Sequence, residues 1–242
     1  MPRKAQIESV AAADSAPGGA AAVDRALSLL AAFRTGDVSL GLAELAARTR
    51  LYKSTVLRLL ASLEHARLLQ RLENGTYGLG SEVARLSTLY AASFSLDRVV
   101  LPVLRELVEK TGESAAYHVR QGQARLCLYR VDSPHPIRDH IKAGDLLPLD
   151  RGTGGRVLSA FDPAGGKSGS AAGRKLLAGI RERGFYAATG DRLAEVAGIS
   201  APVWHADGTL AAAVTLTMPS HRYHERHVKP VLEAARRLSG QV

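Results

Sequence analysis

Cysteine is nearly absent from this 242-residue chain, where Cys127 stands alone. That excludes an intrachain disulfide framework and any zinc site built from several thiolates. No apolar run approaches the ~20 residues needed to cross a bilayer. The Ala-rich start, Met1 to Asp24, is interrupted by Pro17-Gly18-Gly19 and has no apolar secretory core. The expected compartment is the cytoplasm, with no membrane association. Catalytic signatures are missing as well. There is no dinucleotide or methyl-donor glycine fingerprint, and no Ser-His-Asp order or paired-carboxylate motif stands out. We therefore expect no catalytic residues, no cofactor and no bound metal.

What is present is basic. Lys and Arg number 32 against 23 Asp and Glu, a formal net charge of +9. Such a surplus favours a polyanionic partner, because a basic face lowers the cost of docking phosphates, but it does not establish one. Hydrophobic residues at 46% and charged residues at 23% indicate a folded globular chain. The length allows one large domain or two small ones.

Residues 1–20 read as a disordered lead. From Ala22, the residues Val23, Ala26, Leu27, Leu30 and Phe33 recur at spacings of three and four, one apolar helix face. Gly36-Asp37 stops that helix. Ser39 offers a capping hydroxyl to a short second helix marked by Leu42, Leu45 and Ala46. After Thr49-Arg50-Leu51-Tyr52, a third helix carries Lys53 to Leu60, with Val56, Leu59, Leu60 and Leu63 turned inward. Two short helices across a tight turn, the second basic at its start, form a helix-turn-helix. Asn74-Gly75 between Leu68–Leu72 and Thr76–Leu79 predicts a hairpin, since both residues tolerate positive φ. Together these make a winged helix-turn-helix over 21–80. Lys53, Ser54, Thr55 and Arg58 then stand where a recognition helix meets base edges and phosphates in the major groove. Arg48 and Arg71 (with Arg50) are placed for the phosphate backbone, and Thr76 for the flanking groove. Ser39, Tyr52 and Tyr77 complete the candidate DNA-binding set. A solvated basic face on an ordinary three-helix domain competes as a reading of Lys53 and Arg58 alone.

The stretch Leu42 to Glu64, with Lys53-Ser54-Thr55-Val56 followed by Arg58-Leu59-Leu60 and Leu63-Glu64, and then Tyr77-Gly78-Leu79-Gly80, resembles the IclR family of bacterial regulators. The family's glycine two residues before the lysine is Arg50 or Leu51 here. Ser81 to Ala92 carries Val83, Leu86, Leu89 and Tyr90 on one side. The resemblance implies that this linker helix, 81–95, joins two domains and aids dimerisation.

Leu96 to Thr111 reads as an amphipathic helix with Pro102 in its early turns. Beyond it the apolar period shifts towards two. Strands are expected at Ala115–Val119 and Arg125–Val131, and at Ile199–Trp204 and Leu210–Leu216 around Asp207-Gly208. Helices are expected over Gly155–Phe161, Ala172–Gly184 and His224–Ser239. Residues 96–242 are thus an α+β sensor domain of the GAF or PAS kind. The resemblance extends across it through Gly112-Glu113, Asp132-Ser133-Pro134, Gly144 to Leu149, Arg181 to Phe185, Ala201-Pro202-Val203 and Pro219 to Arg222. It implies an effector pocket near Thr153-Gly154-Gly155, at the strand after Phe185 and at the strand leading into Ala201-Pro202. Arg156, Asp191, Gly198 and Tyr117 complete the candidate effector set. Gly152 to Gly155 opening a helix offers bare N–H groups to a carboxylate, or is a plain strand-to-helix turn. The chain departs from the family pattern at Gly155-Arg156 (Gly-Lys elsewhere), at Thr189-Gly190-Asp191 (an acidic turn ending in Glu elsewhere) and in a short Gly/Ser-rich segment between Phe161 and Arg181.

Other features read more plainly. Gly165-Gly166-Lys167-Ser168 resembles the end of a phosphate loop but has Phe161 where that loop needs glycine, and reads as a flexible loop. His221, His224 and His227 drift around a helix start rather than converging on zinc. Cys127 reads as a small buried residue, and Tyr117, His118 and Trp204 divide between pocket and core. The expected function is a ligand-responsive regulator, a homodimer or dimer of dimers. It would bind a pseudo-palindromic operator in double-stranded DNA and sense a small organic or aromatic acid. Two readings compete with it: an enzyme whose winged domain only dimerises, and a DNA-binding regulator that has lost effector binding.

Overall fold

A computed structural model describes residues 8–94, 96–162 and 170–242. The Gly165–Ser168 sequence lies outside the described residues. The chain divides into two compact units, Met1–Ser93 and Phe94–Val242.

The first unit contains α1 (Val10–Ala13), α2 (Ala21–Ala31), α3 (Leu42–Thr49), α4 (Lys53–His65), β1 (Leu69–Arg71), β2 (Tyr77–Leu79) and α5 (Ser81–Phe94). The described part of the lead, expected to be disordered, carries the single turn α1, whose Ser9 Oγ accepts from Ala12 N–H at 3.2 Å. Leu29, Leu45, Val56, Leu60, Leu63, Leu69 and Tyr77 form the core. Helix α2 is rotated from the expected stripe. Ala26, Leu29, Leu30 and Phe33 face inward, which leaves Val23 and Leu27 53% and 51% exposed. Ser39 does not cap α3, because Gly41 occupies the N-cap position. The turn between α3 and α4 bends through Arg50 at φ 55°, so an arginine takes the left-handed conformation that glycine adopts most easily.

Strands β1 and β2 pair antiparallel from Leu69↔Leu79 to Arg71↔Tyr77. Leu40 extends this wing through reciprocal main-chain bonds with Tyr77 of 2.8 and 2.9 Å. Gly75 takes the positive φ of the turn but Asn74 does not. Instead Asn74 Oδ1 accepts from the Thr76 N–H and O–H at 3.0 and 2.6 Å, an Asx turn that closes the tip.

The second unit contains α6 (Leu96–Thr111), β3 (Ser114–Gln121), β4 (Ala124–Val131), β5 (Leu146–Pro148), α7 (Thr153–Phe161), α8 (Ala171–Arg183), β6 (Tyr186–Thr189), β7 (Val196–Trp204), β8 (Leu210–Pro219) and α9 (Val228–Leu238). The strands form one antiparallel sheet in the order β5-β4-β3-β8-β7-β6. Helix α9 starts at Val228 rather than His224, because two short 3-10 turns, Ser220–Arg222 and Glu225–His227, precede it. Pro102 lies beyond the first turn of α6, where proline removes a helical bond rather than occupying a position that lacks one.

The period-two alternation of strands gives this sheet two unlike faces. Ala115, Tyr117, Ile199, Val203, Val214 and Leu216 pack against α6 and α9 in an apolar core. The alternating positions 118, 198, 200, 215 and 217 carry His, Gly, Ser, Thr and Thr on the face that α7 covers. Among the described residues no helix is long and apolar enough to cross a membrane.

A Cβ at Gly80 would lie 2.1 Å from the Arg67 carbonyl oxygen. Gly80→Ala should therefore pull the wing off the end of α4 and lower stability by ~1–3 kcal/mol, read as a reduced urea midpoint. An unchanged midpoint would show that this close approach is not required.

Candidate functional site

The start of α4 presents Tyr52, Lys53, Ser54 and Arg58 to solvent, with Thr55 half-buried, and Tyr52 is 71% exposed. No side-chain cap covers this helix end, so its first N–H groups are open to an anion such as a phosphate. Arg71 is exposed on β1, and Thr76 is half-buried at the wing tip. The expected contacts from Arg48 and Tyr77 need correction. Arg48 is ion-paired with Asp37, bonds Glu44 at 2.6 Å and donates to the Ala32 carbonyl at 2.9 Å. Its hydrogen bond to Asp37, then that to Glu44, raises its pKa further. It ties α3 to the end of α2 rather than waiting for a phosphate. Tyr77 is buried in the core of this unit, because its main chain pairs with Leu40 and Arg71.

The second site lies where α7 meets the polar face of the larger sheet. Gly152 precedes α7 at φ 75°. The first helical bond runs from Arg156 N–H to Gly152 O at 3.1 Å, so the N–H groups of Thr153, Gly154 and Gly155 carry no helical partner. Thr153 and Gly154 line a cleft of about 30 Å³ together with His118, Arg125, Asp191, Arg192, Gly198, Thr215 and Thr217. The glycines are there because the backbone comes so close. A Cβ on Gly198 would sit 2.5 Å from Thr153 Oγ1, and one on Gly154 would sit 2.8 Å from Thr215 Oγ1.

A chain of hydroxyls crosses the cleft floor. Ser200 Oγ is 2.8 Å from Thr153 Oγ1 and 2.9 Å from Thr215 Oγ1, and Thr215 Oγ1 is 3.2 Å from His118 Nδ1. A hydroxyl has one proton, so Ser200 donates to one threonine and accepts from the other. Arg125 is 3% exposed, and its Nη1 donates to the carbonyls of Pro148 and Arg151 at 2.6 and 2.8 Å. Burial first, then the neighbouring Arg192, lowers its pKa to about 10, and it stays cationic at neutral pH. His118 is pushed well below 6.5, chiefly by burial and then by Arg125, Arg130 and Arg192, so it is neutral there. His118 Nε2, Arg125 Nε and Thr217 Oγ1 are buried without a hydrogen-bond partner.

Of the expected effector residues, Thr153, Gly154, Asp191 and Gly198 meet at the cleft. Arg156 stands behind it, held to Asp191 by two contacts of 3.3 Å. Gly155 is buried where a Cβ would strike Arg125 Nη1 and the Leu149 carbonyl at 2.3 and 2.6 Å. Tyr117 faces the opposite core, 6.3 Å from the Tyr129 ring, because it is one residue out of phase with His118. Cys127 is buried and its thiol is pushed up to about 12, chiefly by burial. Trp204 packs edge-on to Phe161 at 5.2 Å. His221 and His224 are exposed while His227 is buried, and among the described residues no three metal-binding side chains stand together.

Residues 22–73 match the IclR helix-turn-helix domain, and residues 88–171 and 171–242 match the bacterial transcriptional regulator IclR C-terminal domain. The chain belongs to the IclR family. It is 28% identical to the glycerol operon regulatory protein of Streptomyces coelicolor over 88% of this chain and 91% of that one. A crystal structure of an IclR transcriptional regulator from a Silicibacter species superposes with a TM-score of 0.78 at 26% identity, over 89% of this chain and 92% of that one. An IclR homologue from Microbacterium hydrocarbonoxydans, solved with 4-hydroxybenzoate, gives a TM-score of 0.76 at 22% identity over 90% and 97%. This chain is an IclR-type DNA-binding transcriptional regulator with a C-terminal effector domain.

His118 gives the effector domain a pH dependence with a definite sign. Its folded pKa lies below the unfolded value of 6.5, so under pH 6.5 the unfolded chain binds a proton that the folded chain refuses. Stability present above 6.5 is lost as pH falls, at up to about 1.4 kcal/mol per pH unit. Thermal unfolding between pH 7 and 5 should show the wild type losing more than His118→Gln. Parallel losses in the two proteins would mean that His118 does not stay neutral in the fold.

Proposed function

We propose that this protein is an effector-responsive operator-binding dimer, acting in the cytoplasm where its operator lies. The open, cationic start of α4 is suited to reading a major groove, with Lys53, Ser54, Thr55 and Arg58 at base edges and phosphates, Tyr52 beside them, and Arg71 and Thr76 at the flanking backbone. Leu86, Leu89 and Tyr90 of α5 are each nearly half exposed at helical spacing. That stripe supports pairing of two chains or of two dimers, and a two-fold pair calls for a pseudo-palindromic operator.

The observation that carries the effector reading is the buried N-terminus of α7, open to a polar cleft through Thr153 and Gly154. A helix N-terminus with unpartnered N–H groups favours a carboxylate. The 4-hydroxybenzoate held by the Microbacterium homologue is an acid of that kind. Such a built cleft favours a working sensor over one that has lost its ligand. The naming of relatives as regulators favours this reading over an enzyme with a winged dimerisation domain. Binding of a small organic or aromatic acid would bias the arrangement of the winged domains through α5, with a coupling of ~1–3 kcal/mol.

The test is a gel-shift titration on DNA upstream of the protein's own gene, with competitor DNA at fixed salt. A specific, saturable shift is expected. Arg58→Ala should weaken it ~5–150-fold with an unchanged unfolding midpoint, whereas Arg48→Ala should lower the midpoint because it breaks the tie between α3 and α2. Undiminished binding by Arg58→Ala would remove α4 from the role of recognition helix.

A further inference from the structure

Arg125 differs from the other guanidinium groups near the cleft. Asp191 answers Arg156. Asp139 is ion-paired with Arg130 and lies 3.6 Å from Arg192. Among the described residues Arg125 holds only main-chain carbonyls, and its Nε is buried without a partner. Asp191 lines the same cleft and acts on Arg125 through space, but no carboxylate among the described residues bonds the Arg125 guanidinium. A buried cation without a bonded counter-charge is costly, and an anionic group within hydrogen-bond reach of its Nε would answer it.

The cleft is the narrow end of a larger space. Its volume of about 30 Å³, against about 590 Å³ for the groove beside it, suits a small charged head group. The body of a longer ligand then lies in the groove. Ile141, Arg192 and Val196 line the cleft and also line a second, wider groove of about 590 Å³. Ile137, Leu147, Leu193 and Pro219 give that groove apolar walls, and its size falls within the range usual for small-molecule pockets.

We propose that the effector is an elongated monocarboxylate with an apolar body. Arg125, with His118 and Thr217, anchors its head at the start of α7. The body passes between Ile141 and Val196 into the outer groove, where Leu193 lies along it. The inference rests on the reading of the cleft as the effector site and adds both its anchoring cation and its length selection. An anionic head also sets the direction of the hydroxyl chain. Thr153 donates to Ser200, Ser200 to Thr215 and Thr215 to His118 Nδ1, so that His118 Nε2–H donates to the carboxylate.

The experiment is calorimetric titration of the full chain with benzoate, 3-phenylpropionate and 5-phenylvalerate, beside the primary amide of each. Affinity should rise along the series, by about tenfold or more from first to last, and the amides should not bind. Arg125→Met should weaken 5-phenylvalerate ~10–150-fold. Leu193→Trp, at an exposed position, should abolish the gain from length, bringing the three acids to similar affinities. Equal affinity along the series, or 5-phenylvalerate binding Leu193→Trp as it binds the wild type, would overturn the outer groove while leaving a carboxylate cleft in place. Amides binding as well as acids would overturn the anchoring by Arg125. No heat from any acid at millimolar concentration would overturn the cleft reading itself.

Discussion

Arg125 joins the strand that carries it to the turn that launches α7. Its guanidinium, out of solvent, draws the carbonyls of Pro148 and Arg151 onto β4. The glycines at 152, 154 and 155 then let the helix start press against the sheet, where a Cβ at any of the three would meet another atom at 2.8 Å or closer. Bringing a helix N-terminus and a cation so near to each other in a buried place stores an electrostatic imbalance that an anion relieves. The effector domain can be understood as the scaffold that maintains that imbalance.

The sheet meets this demand by dividing its two faces. Helices α6 and α9 seal one face with aliphatic packing, the larger apolar cluster of this unit. The other face is relieved of that duty at its centre, where small and polar residues stand opposite α7, while Val157, Leu158 and Ile180 close the periphery. In the first unit the same economy appears in a different form. Arg48 is committed to Asp37 and Glu44 inside the fold, which leaves the exposed cations of α4 and the wing for a polyanion.

Much of this was legible in the sequence where the signal is local. Helix spacing, the turn before Lys53 and the Asn74-Gly75 hairpin place the winged helix-turn-helix, and the glycines from Gly152 mark the backbone of the cleft. Contacts across long stretches of chain were not legible. Arg48 looked free because its partner Asp37 lies in a different segment, and Tyr77 looked exposed because its pairing with Leu40 cannot be read from the hairpin alone. Tyr117 and His118 are neighbours on opposite faces, and an irregularity against β4 falls between them, so only the assembled sheet fixes which one reaches the cleft. Arg125, Thr215 and Thr217 left a faint trace as polar residues alternating with apolar ones along strands. That trace has no direction until β4, β3, β8 and β7 lie side by side. Val23 and Leu27 show the converse error, since an apolar residue at helical spacing need not face its own core.

The claim that unites the two units is thermodynamic coupling between the cleft at α7 and DNA bound at α4. The most direct measurement is the calorimetric affinity of 5-phenylvalerate for the free protein and for the protein saturated with its operator. A difference of ~5–150-fold, matched by an equal change in operator affinity when the acid is saturating, is the expected result. The same acid affinity with and without operator would contradict it, leaving two sites on one chain with no influence on each other.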